Sequence, residues 1–354
     1  VRVIRKLFLY PEAAWSLAVM GALFGAVAAG LVLLGNPAST GLCASCFLVN
    51  VAGSIGLHAR AAQSYLRPEL LGIVLGAFFA AFGTREFRVG GGASALGHFV
   101  GGAFVLLGCE VFIGCPIKAL LRTAGGGLAG LTGVAGLAGG VLMAVPFLRD
   151  GFSLPPGRRL PEALGFALPV GAFALLAMAG LGAGQAQPGG TSHAPFAISL
   201  AAGLFFGAAG QRSRFCITGS LRNAALLRDF REGAGTLAFL GAVLAFNVAG
   251  GTFNPTLAFE PGAHTDLLWA FLALAMVGFG ATLIAGCPFR QLIRASSGDL
   301  DAAAAVAGML AAAGLSVRLG IGSSPAGVTD AGKVAVLLGL AFFLVLAAFR
   351  RKAT

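Results

Sequence analysis

Four cysteines stand beside helix breakers in two sequence frames that recur about 170 residues apart. The first frame matches Cys46, in Gly41-Leu42-Cys43-Ala44-Ser45-Cys46-Phe47, with Cys216, in Gln211-Arg212-Ser213-Arg214-Phe215-Cys216-Ile217. The second matches Cys115, in Gly114-Cys115-Pro116-Ile117-Lys118, with Cys287, in Gly286-Cys287-Pro288-Phe289-Arg290. Three chemistries compete for these sulfurs. Cys43 and Cys46 have the spacing of half a zinc or copper site, but no second motif completes it. They also have the spacing of a redox disulfide, though soluble oxidoreductases with that spacing place it in a different fold context. The third chemistry is a row of neutral thiols acting as weak S–H donors to a soft, polarisable anion. Thiolates would repel an anion, whereas desolvation favours neutral thiols, and weak donors bind without trapping, as conduction requires.

The neighbours of the second frame add charge. Glycine permits unusual backbone angles and proline suits a first helical turn, so short helices are expected from Ile117 to Thr123 and from Phe289 to Ala295. Their free amide groups and positive dipole ends would face an arriving anion. Lys118 and Arg290, and one turn further Arg122 and Arg294, share the face of the cysteine. They read either as a cationic vestibule or as ordinary interfacial residues kept in register by the repeat. Cys43 falls opposite Ser213 and is at most auxiliary, and Cys109, opposite Ala281, reads as a small hydrophobe. Glu110 is open to two readings, pairing with Lys118 or Arg122 and proton coupling. His58, His98, His193 and His264 have no spacing that suggests a metal or catalytic site, and the candidate substrate-binding set is Cys46, Cys115, Cys216, Cys287, Lys118 and Arg290.

These residues need a membrane to position them. The chain has 354 residues, 57% hydrophobic and 10% charged, and a mean hydropathy of +0.90. Soluble proteins carry about 25% charged residues, so a multi-pass, all-α membrane protein is expected. Apolar runs fall near 14–34, 69–84, 95–113, 128–148, 163–183, 196–210, 233–250, 267–286, 301–317 and 333–349. They predict nine or ten crossings with short re-entrant helices between them, and the first run is read as an uncleaved span. The 56 glycines lie inside apolar runs, where small residues let helices approach closely.

The net charge of +11 is scattered between spans, which fits topology and not nucleic-acid binding. With ten crossings and the N-terminus inside, Arg2, Arg5, Lys6, Arg85, Arg88, Arg149, Arg158, Arg159, Arg212, Arg214, Arg222, Arg228, Arg231, Arg290, Arg294, Arg350, Arg351 and Lys352 are cytoplasmic. Only Arg60, Arg67, Lys118, Arg122, Arg318 and Lys333 lie outside, and the outer stretch 251–266 carries Glu260 and Asp266. Both termini are therefore expected in the cytoplasm. Five crossings per half make the repeat inverted, the plan of transporters with midplane sites. One membrane domain, 1–354, follows, made of repeats 1–183 and 184–354, with a polar linker at 149–159 between the fourth and fifth spans. No nucleotide-binding loop is present and no cofactor is called for.

At these residues the sequence resembles the YeeE/YedE family of bacterial inner-membrane proteins, which includes thiosulfate transporters. It is most similar to the YedE branch, described as selenium transporters. Gly35-Asn36-Pro37, Cys43-Ala44-Ser45-Cys46-Phe47-Leu48, Arg67-Pro68-Glu69, Gly114-Cys115-Pro116, Gln211 to Cys216, Ala263-His264-Thr265-Asp266 and Gly286 to Leu292 carry the resemblance across nearly the whole chain. It implies an hourglass-shaped transporter, not an enzyme, that passes a small sulfur or selenium anion inward past cysteines at a constriction. It also implies a cytoplasmic sulfur-carrier partner of the TusA type. Asn50 and Asn223 depart from the family pattern, standing where aspartates are expected. The competing function is a membrane redox or sulfur-transfer protein that uses Cys43 and Cys46.

Overall fold

A computed structural model describes residues 13–92, 94–154, 158–181, 192–255 and 262–349. The first half contains α1 (Ala14–Leu33), α2 (Ala44–Ser54), α3 (Pro68–Gly83), α4 (Ala95–Phe112), α5 (Pro116–Ala124), α6 (Leu128–Arg149) and α7 (Ala167–Gly180). The second half contains α8 (Phe196–Ser213), α9 (Ile217–Leu227), α10 (Arg231–Ala249), α11 (Leu267–Leu283), α12 (Pro288–Ser296), α13 (Leu300–Arg318) and α14 (Asp330–Phe349). A single turn at Glu162–Gly165 precedes α7, and two-residue strands β1 (Gly90–Gly91) and β2 (Arg158–Arg159) pair antiparallel.

The chain is an all-α multi-pass membrane protein. Among the described residues, eight helical stretches are long and apolar enough to cross a bilayer: Ala14–Leu33, Ala61–Gly83, Ala95–Ala124, Leu128–Arg149, Arg231–Ala249, Leu267–Ser296, Leu300–Arg318 and Asp330–Phe349. Apolar side chains such as Leu96, Leu237 and Leu268 are turned outward, as a lipid-facing surface requires. The other two expected crossings form helices but fall short of those criteria. α7 has 14 residues, a rise of about 21 Å against a hydrocarbon core of about 30 Å. α8 ends on the polar Gln211, Arg212 and Ser213.

The order of elements repeats, and the halves interlock. α1 packs along α10 and its counterpart α8 packs along α3; α4 packs along α13 and its counterpart α11 packs along α6. Each of these contacts is one element of one half against a different element of the other, and exchanging the halves regenerates it. The counterparts run in opposite directions. His98 near the start of α4 lines the same cavity as Thr282 and Leu283 at the end of α11, and Leu148 at the end of α6 lines it with Asp301 at the start of α13. The seventh elements break the correspondence, since α7 packs on α3 whereas α14 packs on α4 and α11.

Glycine makes the interlocking contacts close enough to count. A Cβ at Gly140 on α6 would coincide with the Ala275 carbonyl on α11, and one at Gly308 on α13 would coincide with the Phe99 carbonyl on α4. Backbone approach of this kind supplies the dispersion contact that holds helices together in lipid, where no hydrophobic drive separates them from the acyl chains.

Arg88, Arg222, Arg294 and the 152–154 segment gather at one end of the molecule, and Ser39, Arg122, Gly251 and Asn254 around a cavity elsewhere. Arg2, Arg5, Lys6, Glu260, Arg350, Arg351, Lys352 and residues 155–157 of the linker lie outside the described residues.

Candidate functional site

The two Gly-Cys-Pro segments are built alike. α4 ends at Phe112, after which Ile113 takes a left-handed conformation (φ 60°), and α11 is followed in the same way by Ala285 (φ 61°). The Gly114 amide donates to the Cys109 carbonyl and the Gly286 amide to the Ala281 carbonyl, both at 2.7 Å. Cys115 and Cys287 then cap α5 and α12, with Pro116 and Pro288 in the first turn. A side chain at Gly114 would collide with Lys118, which folds back over the break. Both short helices form as expected, longer by one residue at each end.

Arg122 and Arg294 act as clamps on these breaks. Arg122 donates to the Phe112 carbonyl (2.9 Å), the Ile113 carbonyl (3.2 Å) and the Gly262 carbonyl. Arg294 donates to the Ile284 (3.2 Å) and Ala285 (2.8 Å) carbonyls and pairs with Asp299. A guanidinium at unpaired terminal carbonyls also meets the negative end of the helix dipole. Their place in the repeat is thus structural as well as electrostatic. Beside Arg122, the His264 imidazole bonds the Val111 carbonyl at 2.9 Å, and burial holds it below its ordinary protonation range.

The other pair of cysteines lies in a different register from the one the frames suggest. Cys216 caps α9, and the residue that caps the matching α2 is Cys43, not Cys46. The Gly219 amide donates to the Cys216 sulfur at 3.3 Å, and the Cys46 amide donates to the Cys43 sulfur at 3.4 Å. Thr218 and Ser45 place hydroxyls 3.2 and 3.5 Å from those sulfurs. Cys43, Cys115, Cys216 and Cys287 are therefore the repeated set. The expectation that pairs Cys46 with Cys216 and sets Cys43 aside is corrected, because Cys43 and Cys216 are the residues that cap the matching helices. Cys46 occupies the place of Gly219.

Cys43 and Cys46 are bonded as a disulfide, with 5.3 Å between their Cα atoms. Cys43 is fully buried and Cys46 partly so, and the Lys118 ammonium is 3.9 Å from the Cys46 sulfur. Cys109, Cys115, Cys216 and Cys287 are free and buried. The Cys216 and Cys287 sulfurs are 3.9 Å apart. Cys109, set aside from sequence, is buried on α4. Among the described residues no group of three or more His, Cys, Asp or Glu is placed to hold a metal ion.

The structure opens to Cys216 from the arginine-rich end. A cavity of about 390 Å³ is lined by Cys216, Thr218, Arg214, Arg222, Arg290 and Arg294, with Glu232 the carboxylate among its walls. A second cavity of about 530 Å³ shares Arg222, Thr282, Ala285 and Arg294 with it. Arg290 also donates to the Gly210 carbonyl at 3.4 Å. Asn223 donates to Glu232 (2.9 Å), and Asn50 accepts from the buried Arg67 (2.9 Å). Sequence reasoning missed Arg214, Arg222 and Glu232 as lining residues, because their shared wall comes from three separate segments.

Phe24 packs edge to face with Phe206 at 5.3 Å, Phe215 at 5.0 Å and Phe289 at 6.2 Å between ring centres. Phe215 immediately precedes Cys216, and Phe289 follows Cys287 by two residues. Weak thiol donors and a polar, cationic approach can together hold a small soft anion. No protein-family model matches the chain, and no curated protein matches its sequence.

Proposed function

We propose that the chain is a transporter, not an enzyme, that passes a small sulfur- or selenium-containing anion across the bacterial inner membrane, with both termini in the cytoplasm. The observation that carries this reading is Cys216, which lines an arginine-rich cavity and has the buried Cys287 sulfur 3.9 Å from its own, in an interlocked inverted repeat. Cys115 repeats the position of Cys287, so a path lined by the two breaks meets a thiol from either half. Lys118 and Arg290 stand over the breaks as the cations that draw the anion in. The resemblance to the YeeE/YedE family supports the same substrate class, and with it a cytoplasmic sulfur-carrier partner. Capture by such a carrier is energetically sensible. An inside-negative potential opposes entry by about 2.3 kcal/mol per charge per 100 mV.

Uptake of labelled thiosulfate and selenite, measured in cells without native routes, tests the reading. Replacing Cys287 with Ala lowers uptake by at least about fivefold, the worth of one hydrogen bond of about 1 kcal/mol. Unchanged uptake in a Cys115→Ala, Cys287→Ala double variant rules the proposal out.

A further inference from the structure

The disulfide sits in only one of the two repeats, and its surroundings give its two sulfurs different chemical parts. Cys43 is fully buried at the start of α2, where the Cys46 amide donates to its sulfur at 3.4 Å and the Ser45 hydroxyl lies at 3.5 Å. Negative charge arriving on that sulfur meets a backbone donor, a hydroxyl and the positive end of a helix. Cys46 is partly exposed and has the Lys118 ammonium 3.9 Å from its sulfur. A nucleophile that carries negative charge is drawn to Cys46 and not to Cys43.

We propose that Cys43–Cys46 is a reactive disulfide that is opened by small anionic thiols at Cys46, with Cys43 as the leaving sulfur. In the first step a thiolate forms a sulfur–sulfur bond to Cys46, the Cys43–Cys46 bond breaks, and its electron pair stays on Cys43. A second thiolate attacks the outer sulfur of the mixed disulfide, and the electron pair of that bond leaves on Cys46. Two thiols are oxidised to one small-molecule disulfide, the protein disulfide is reduced, and the two thiol protons end on Cys43 and Cys46. The rate and direction of such exchange depend on which sulfur is attacked and how well the other leaves. The arrangement differs from one in which the helix-capping sulfur is the exposed one. Here the capping sulfur is buried and the attacked one lies a turn into the helix. This chemistry is independent of transport, since its readout is the state of two sulfurs.

Full-length protein in lipid nanodiscs is treated briefly with one equivalent of glutathione, or of cationic cysteamine at matched thiolate concentration. The reaction is stopped with acid and a maleimide, and peptides are mapped by mass spectrometry. The expected result is a glutathione adduct on Cys46, maleimide on Cys43, and faster reaction with glutathione than with cysteamine. Lys118→Met lowers that rate ratio by roughly two- to fivefold, the range of a partly solvated charge contact. Lys118→Arg retains the ratio and serves as the comparison if the methionine variant fails to fold. An adduct on Cys43, equal adducts on both sulfurs, a rate ratio indifferent to the charge at position 118, or opening only after denaturation overturns the proposal. Uptake assays read separately: loss of transport with the Cys46 adduct intact would defeat the transport reading alone.

Discussion

At Gly219 the second repeat presents a hydrogen where the first presents the side chain of Cys46. A Cβ built at Gly219 would lie 3.5 Å from the Cys216 sulfur and 3.2 Å from its Cβ, so a thiol there falls within bonding reach by a change of rotamer. Gly219→Cys is therefore expected to create a second oxidisable pair with Cys216. Thiol counting after mild oxidation would find one fewer free thiol than in the parent, and one more than in the parent would mean the two helix starts are not equivalent. The correspondence was present in the sequence but not where the cysteines alone direct attention. Asn223 stands as far beyond Asn50 as Cys216 stands beyond Cys43, and Thr218 and Ser45 keep the same interval. Matching Cys46 to Cys216 is an error of three positions. Capping geometry decides the register, and capping depends on backbone angles that residue types do not display.

The elements divide into those that hydropathy or a Gly-Cys-Pro break reveals and those that neither does. Ten apolar runs became ten helices with ends shifted by a few residues. α2 and α9 escaped hydropathy because they are short and contain Asn50, Arg222 and Asn223. Their position is enforced by the long helices, which close on one another through glycine. Gly140→Leu tests that closure. The new side chain occupies the place of the Ala275 carbonyl, so α6 and α11 must separate or shift. Overpacking of this kind costs about 1–3 kcal/mol, and a lowered unfolding temperature in detergent, with a broadened elution profile, is the expected result. A Gly→Leu change at Gly171, which has open space around it, is the control and should leave both unchanged.

On the scale of the molecule, the inverted repeat gives the charge pattern a physical reference. The segments predicted to share the cytoplasmic side meet in the structure: Arg88 donates its backbone amide to the Ser297 carbonyl, and Glu86 pairs with Arg212 at 2.8 Å. At the other end the Ala194 amide donates to Asn36, and the Val328 amide to Asp266. Single cysteines placed at Arg85 and Arg228, in a background without native thiols, should react with a membrane-impermeant maleimide only from the cytoplasmic side. Cysteines at Ser39 and Thr252 should react only from the other. Labelling of Thr252→Cys from the cytoplasm would contradict the assigned sidedness. The inversion was legible because an odd number of crossings per half demands it. The exchange of partners between halves was not, since nothing in hydropathy says which span meets which.

That exchange of partners has a consequence for how the chain is made. α1 enters the membrane early but packs along α10, which the ribosome supplies only after Arg231–Ala249 has been translated. α3 likewise waits for α8, α4 for α13, and α6 for α11. Each leaves the translocon with a glycine-rich flank shaped for a helix that does not yet exist. Biogenesis of this protein is a sequence of deferred pairings, and a chain stopped between Gly180 and Phe196 would be inserted in full yet have every one of its long seams unfilled.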